Sequence, residues 1–139
     1  MSSDSESNWC LLPDAGRFVI LEHQVPLDSG RADHWDVMLE TATGLQTWAT
    51  QPFASDGASR QVEELPLHRS IYLDYEGPIS GNRGCVRRLD RGKFRILDRQ
   101  SRWLLIQLAG DVYQGRLQVR LANDGKSWFT WESSAFDLR

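Results

Sequence analysis

The sequence predicts an all-β protein, a compact antiparallel β-barrel of about eight strands with short loops and little helix. Two observations carry this prediction. Short β-like runs recur along the chain and end at Gly, Pro, Asn or Asp, whereas no stretch of about ten residues has a convincing helical pattern. The 139 residues include 40% hydrophobic side chains and six tryptophans. That composition suits one domain with a packed core.

The first half of the chain contains the less regular runs. They span residues 17–23, 33–41, 45–50, 60–68 and 71–75. Thr43-Gly44 turns the second run into the third, and residues 51–59 form a loop because they contain Pro, Asp and Gly. The assignment of residues 60–68 stays open, since Pro66 argues against a central strand.

The second half alternates more regularly between polar and apolar side chains. Its runs span residues 85–90, 93–98, 102–109, 116–121 and 127–132. We expect a hairpin turn at Arg91-Gly92, between the first two runs, and a turn at Asn123-Asp124-Gly125 before the last one.

Residues 1–16, which begin with a Ser-rich and acidic stretch, are expected to form a flexible tail before a single domain over residues 17–139. The N-terminus lacks the pattern of a secretory signal, and no apolar run approaches the ~18 residues of a membrane span. Cys10 and Cys85 are too few for a disulfide framework. We therefore expect a soluble, cytoplasmic, monomeric protein with no membrane partner.

The net charge of −3 argues against a strongly basic nucleic-acid binder, but the charges are unevenly distributed. Residues 1–40 hold eight acids and two bases, whereas residues 83–102 hold eight bases and two acids. Such a surplus can attract anions even on a protein of negative overall charge. A charge run on its own is more often a solvated hairpin, so both interpretations stay open.

One segment places charged and apolar side chains on opposite faces of a strand. His34, Asp36 and Glu40 share one face, because side chains two residues apart on a strand point the same way. The opposite, apolar face consists of Trp35, Val37 and Leu39. This pattern predicts a core wall on one side and a site on the other.

Two histidines and an aspartate are a common ligand set for a divalent metal, since imidazole nitrogen and carboxylate oxygen suit manganese, zinc or iron. His34 and Asp36 can supply two ligands from one strand face. His23, at the end of the preceding run, can reach the same place if the two strands pair as neighbours. A histidine and a carboxylate at this spacing are more often a surface pair, so the spacing alone does not decide.

The third histidine, His68, precedes Tyr72 by four residues. An imidazole and a phenol near one anionic group can act as hydrogen-bond donors or as a general acid. The alternative is structural, with His68 at a turn and Tyr72 packed in the barrel.

The order of several segments resembles the 3′-phosphoesterase module of bacterial DNA ligase D. The segments with this likeness are Phe18 to His23, His34 to Glu40, Trp48-Ala49, His68 to Gly77, Asp90-Arg91-Gly92 and Arg102 to Leu105. The resemblance covers roughly residues 17–132. It implies a compact β-barrel that uses a divalent metal, preferably manganese, and trims 3′-terminal phosphates and ribonucleotides from DNA ends during break repair.

The same resemblance assigns roles to individual residues. The implied metal ligands, for Mn²⁺ or another divalent transition metal such as Zn²⁺, are His23, His34 and Asp36. The implied catalytic residues are His68, which matches a phosphate-contacting histidine, Tyr72 and Arg60.

The chain also departs from the family pattern. Met38 stands where the family has an arginine, Pro52 stands near the place of an expected lysine, and the short tail has no counterpart of the family's N-terminal segment. One hypothesis is a metal-dependent phosphoesterase-like domain that processes nucleic-acid 3′ ends or another phosphate ester, with repair ligase or polymerase proteins as partners. The alternative is a non-catalytic module that binds nucleic acid or a protein. An unrelated small-ligand barrel would require the matches to be accidental.

Overall fold

The computed structural model describes residues 8–134, apart from the side chains of residues 8 and 10, and contains nine β-strands in that range. They are β1 (Ala15–Gln24), β2 (His34–Glu40), β3 (Leu45–Thr50), β4 (Arg60–His68), β5 (Gly77–Pro78), β6 (Cys85–Gln100), β7 (Trp103–Gly110), β8 (Gln114–Leu121) and β9 (Ser127–Ser133). Two 3₁₀ helices of four residues each span Asn8–Leu11 and Ser70–Leu73. No helix of the described residues has the length and apolar character needed to cross a membrane.

Eight of these strands close into an antiparallel barrel. Neighbours follow the order β1, β2, β3, β4, β9, β8, β7, β6, and the pairing of β6 with β1 completes the ring. β5 is a two-residue addition that pairs with β6. Closure pairs the strand edges that an open sheet would expose. The predicted all-β barrel is thereby confirmed.

Alternation along the strands fills the barrel interior with apolar side chains. Phe18 and Ile20 of β1, Val37 and Leu39 of β2 and Trp48 of β3 belong to this core. All of them are at most 1% exposed. Full burial of one such side chain stabilises the fold by roughly 1.5–3 kcal/mol. The apolar face predicted for β2 is therefore part of the core wall.

A second, smaller apolar cluster lies on the outer face of β1, β2 and β3. Its buried members are Val19, Leu21, Met38, Leu45, Leu73 and Val86. Leu73 belongs to the second 3₁₀ helix, so the segment after β4 folds back over the barrel wall. Tyr72 and Tyr75 pack against the same cluster. We call this group the outer cluster.

β6 is one continuous strand, and the hairpin predicted at Arg91-Gly92 is not formed. The first part of β6 pairs with β1 and the last part with β7. Gly92 lies where both partners are present, and a Cβ there would stand 2.1 Å from the carbonyl oxygen of Ala109. The glycine permits a close backbone approach within a strand. The prediction of a turn at Arg91-Gly92 is therefore wrong, because the glycine serves this close approach and not a turn.

β4 is a strand within the ring in spite of Pro66. It pairs with β9 only through Arg60, Gln61 and Val62, and its register against β3 shifts before its end. Pro66 lies in the part without a β9 partner, so its missing N–H breaks no bond to that strand. The unpaired half of β4 borders an open groove.

The folded domain begins before residue 17. Trp9 and Leu12 are 2% and 4% exposed and pack in the interior core. The Arg99 guanidinium donates to the backbone carbonyl oxygens of both residues. The tail expected for residues 1–16 is thus a packed segment from residue 9 onward, because its tryptophan and leucine bury apolar surface. Residues 1–7 and 135–139 lie outside the described residues.

Candidate metal centre

His23, His34 and Asp36 converge on the outer face of the barrel. β1 and β2 are antiparallel neighbours, with His23 directly opposite His34, and opposite residues point to the same face. Asp36 follows His34 by two residues and shares that face. Potential ligand atoms of the three side chains all lie within 4.8 Å of one another. The strand pairing that the metal hypothesis requires is therefore present.

The Asp36 carboxylate contacts both imidazoles. Its Oδ2 is 3.4 Å from Nδ1 of His23, and its Oδ1 is 3.3 Å from Nε2 of His34. In a tetrahedral site with metal–ligand distances of about 2.1 Å, two ligand atoms are about 3.4 Å apart. Both separations are close to that value, and each involves a different oxygen of Asp36. The side chains of His34 and Asp36 are 7% and 3% exposed, and that of His23 is 14% exposed.

Backbone carbonyl groups determine the tautomer of both neutral rings. Nε2 of His23 donates a hydrogen bond to the Arg83 carbonyl oxygen at 2.8 Å, and Nδ1 of His34 donates to the Ala32 carbonyl oxygen at 3.0 Å. A carbonyl oxygen only accepts, so these nitrogens carry the ring protons. The other nitrogen of each neutral ring then offers a lone pair to the cluster. Histidines that bind metals are oriented by such bonds.

The cluster lacks a positive partner when both rings are neutral. Nε2 of His34 and Oδ1 of Asp36 are buried and make no hydrogen bond within the described part of the chain. Two nitrogen lone pairs and a carboxylate then face one another in a poorly hydrated place, which is unfavourable. A proton on an imidazole, or a cation between the three side chains, removes the repulsion. The donor set and the unpaired buried atoms both fit a divalent metal.

Without a metal, the cluster favours protonation of His34. The Asp36 carboxylate raises the pKa of His34 above its usual 6.5 and outweighs the opposing effect of burial. Burial acts to raise the pKa of Asp36, but the imidazoles of His23 and His34 together hold that pKa below 3.8. An imidazolium beside a carboxylate is therefore favoured at acidic pH. Neutral rings that can bind a metal require a higher pH.

An open groove of about 930 Å³ begins at His34. It lies between the end of β3, the unpaired half of β4 and the turn that leads into β9. Its charged and amide side chains include Arg31, Gln51, Gln61, Glu63, Glu64 and Lys126. Sequence patterns do not predict Arg31 or Lys126 as site residues, because both lie in loops. No periodicity connects a loop residue with a distant strand.

His68 and Tyr72 are close to each other but not to the metal centre. Their rings are 6.2 Å apart. His68 pairs with Leu45 at one end of β3, whereas Ala49, the partner of Asp36, lies four residues along that strand. Four strand residues span about 13 Å. The structure therefore brings the three predicted metal ligands together and places His68 and Tyr72 further along the barrel wall.

Apolar side chains occupy the wall between the metal centre and His68. Met38 follows Asp36 by two residues on the same face and is 1% exposed. It packs with Leu45 and Leu73 in the outer cluster. The position at which the resembling family carries an arginine is therefore a packed apolar position in this protein.

Arg60, the remaining predicted site residue, lies away from the metal centre. It is exposed at the start of β4 and precedes Val62, a residue of the interior core, by two positions. The two residues therefore share the face of β4 that is opposite to Glu63. Arg60 lines neither the groove nor the His23, His34 and Asp36 cluster.

No family model matches the sequence, and no curated protein matches it. The fold and the site together define a closed β-barrel with a candidate three-residue metal centre on its outer wall.

Proposed function

We propose that this protein is a divalent-metal-dependent phosphoesterase that acts on nucleic-acid 3′ ends or on another phosphate ester. The convergence of His23, His34 and Asp36, with each ring held by a backbone carbonyl, carries the proposal. Three protein ligands leave coordination positions for water and substrate, as in catalytic sites and unlike closed structural sites. The substrate class is supported by the resemblance of the surrounding segments to the 3′-phosphoesterase module of DNA ligase D.

Each residue of the centre has a separate part in this proposal. The carbonyl groups of Ala32 and Arg83 hold the rings in the tautomers that present a lone pair. Asp36 supplies the negative charge that favours the binding of a divalent cation over that of a neutral molecule. A divalent ion such as Mn²⁺ or Zn²⁺, when bound, polarises a phosphoryl oxygen and lowers the pKa of a bound water.

Calorimetric titration with Mn²⁺, together with phosphate release from a 3′-phosphorylated primer-template, tests the proposal. The parent should bind Mn²⁺ and release phosphate. His34→Ala should lose both properties, because it removes one of three ligands. His68→Ala should keep the metal affinity of the parent, because His68 lies further along the barrel wall, and a loss of roughly 10²–10⁴-fold in turnover would identify His68 as the general acid. A parent that does not bind Mn²⁺ would contradict the proposal.

A second candidate function is a non-catalytic module that binds nucleic acid or a protein. The burial of Met38 in the outer cluster favours it, because the phosphate-binding arginine of the resembling family has no equivalent there. The same titration separates the two candidates. A non-catalytic module that keeps its metal would bind Mn²⁺ and release no phosphate from either a nucleic-acid end or a small ester.

The setting that we propose is the reducing cytoplasm. Cys85 is a free cysteine, and two cysteines in 139 residues suit a compartment in which thiols stay reduced. We also propose that the protein acts as a monomer.

A further inference from the structure

We infer that the groove beside His34 binds the phosphate ester, with Arg31 and Lys126 as its cationic contacts. The inference rests on the proposed function, because the groove is assigned through the metal centre at its end. His34 belongs both to that centre and to the groove lining. Two further grooves lie along β1 and β6, and neither is lined by a residue of the metal centre.

The size and lining of the groove suit a small polar ligand. Its volume of about 930 Å³ lies within the range of roughly 300–1,000 Å³ that small-molecule sites occupy. Hydroxyl and amide groups are contributed by Thr50, Gln51, Gln61 and Ser127. No Phe, Tyr or Trp is among the described lining residues, so the stacking platform that holds long single strands is missing. The groove therefore favours a short ligand.

Two cations stand at separate walls of this groove. Arg31 lies in the loop before β2 and Lys126 in the turn before β9, and both are exposed. Cationic side chains in a groove that reaches a metal site suit the binding of a phosphate group. Arg31 and Lys126 supply positive charge in place of the arginine that the resembling family has at the position of Met38.

Two glutamates of β4 limit the negative charge that the groove accepts. Glu63 is exposed, and Glu64 accepts a hydrogen bond from Nε2 of Gln46 at 3.1 Å. The two acids nearly balance the two cations, which disfavours a ligand with many phosphate groups. We therefore assign to the groove a phosphate ester with few phosphates. Either the phosphorylated end of a single strand or a free nucleotide provides this chemistry.

Calorimetric binding of two probes, with and without Mn²⁺, tests the inference. The probes are a nucleoside 3′-monophosphate and a short single-stranded oligonucleotide with a 3′-phosphate. Arg31→Gln and Lys126→Gln should each weaken binding about fivefold, the scale of one exposed charge pair, and leave Mn²⁺ affinity unchanged. Glu63→Gln should strengthen binding. Equal affinity for both probes would identify the ester itself as the ligand, and a preference for the oligonucleotide would identify the strand end.

Arg116→Gln is the matched control, since it removes one charge at an exposed position of β8. Arg116 is five residues from Leu121, which lines the groove, and five strand residues span about 16 Å. Arg69→Gln tests the alternative that the ligand binds near His68, because Arg69 is the next residue in the chain.

The possible results separate the groove from the proposed function. Unchanged affinity in Arg31→Gln and Lys126→Gln, with hydrolysis by the parent, would overturn the groove and leave the phosphoesterase standing. Weaker binding in Arg69→Gln alone would also overturn the groove and place the ligand near His68. A parent that binds both probes through Arg31 and Lys126 without hydrolysis would support the groove and overturn the phosphoesterase. A parent that binds neither probe would overturn the groove, and if it also releases no phosphate from a nucleic-acid end or a small ester, it would overturn the phosphoesterase as well.

Discussion

His23 and His34 face each other across the β1–β2 pair, with ring centroids 4.8 Å apart and ring planes at 59°. Each ring donates one N–H to a backbone carbonyl group and presents its other nitrogen to Asp36. Protons and metal ions therefore compete for the same nitrogen atoms. The metal-free and metal-bound proteins should respond to pH in opposite directions.

In the metal-free protein, the cluster should stabilise the fold most between about pH 4 and about pH 6.5. Asp36 raises the pKa of His34, so this contribution is complete below the unfolded value of 6.5 and is lost as pH rises through the higher folded value. The pKa of Asp36 is lowered by the imidazoles despite burial, so its contribution is present above 3.8 and is lost as pH falls through the lower folded value.

Urea unfolding of the parent and of Asp36→Asn across this pH range measures the effect, because the variant removes the carboxylate from both relationships. The difference in free energy of unfolding should be largest within the window. A difference that instead grows steadily toward alkaline pH would contradict the assigned ion pair.

Manganese should reverse this trend, because each imidazole must be neutral to coordinate it. The rise in melting temperature on adding Mn²⁺ should be larger at about pH 7.5 than at about pH 5.5. At a free concentration 100 times the Kd, binding adds about 2.7 kcal/mol to the free energy of unfolding. His34→Ala should show little rise at either pH. A rise of equal size at both pH values in the parent would argue against histidine ligands.

Met38→Arg should destabilise the fold by about 3 kcal/mol, because it places a charge without a partner in a buried apolar cluster. Met38 is 1% exposed and packs with Leu45, Leu73 and Tyr72. Met38→Leu, which keeps the volume and polarity, should cost less than about 1.5 kcal/mol. Urea unfolding checks both variants. If Met38→Arg is as stable as Met38→Leu, the outer cluster can admit an arginine and does not exclude the contact of the resembling family.

The alternation of polar and apolar residues along the strands is enough to predict much of the fold and of the metal centre. The two faces of β2 follow from a period of two residues, and a single neighbouring strand brings His23 to His34. Alternation also places Met38 on the site face, but its burial depends on Leu73, which is 35 positions later in the chain. A local sequence pattern cannot predict that a distant segment folds back over the barrel wall.

Turns and loops are less well predicted for a related reason. Glycine next to a charged residue is typical of a turn, which is why the sequence predicts one at Gly92. The strand requires a glycine there because the Ala109 carbonyl group lies too close for a Cβ, and the local sequence does not show that contact. Arg31 and Lys126 reach one groove because β2, β3, β4 and β9 are consecutive in the closed ring. Their approach depends on the complete strand order, which no single segment specifies.

The basic segment of residues 83–102 is partly engaged within the molecule. The Arg87 guanidinium pairs with Glu22 at 2.7 Å, and Arg102 donates to the Ala122 carbonyl oxygen. Arg99 holds backbone carbonyl groups of the N-terminal segment. The expected anion-attracting patch therefore has fewer available cations than the sequence indicates. Its exposed members on the outer face of β6 include Lys93 and Arg95.

If duplex nucleic acid binds along β6, Lys93→Gln and Arg95→Gln should each reduce the slope of log K against log salt by roughly 0.9. Arg87→Gln is the matched control and should change the slope much less, because Glu22 already neutralises its charge. Fluorescence anisotropy at several salt concentrations measures the slopes, and an equal reduction in all three variants would contradict this assignment.

β6 and β4 lie on opposite sides of the ring. Binding through Lys93 and Arg95, combined with no phosphate release, would therefore make the non-catalytic module the better account.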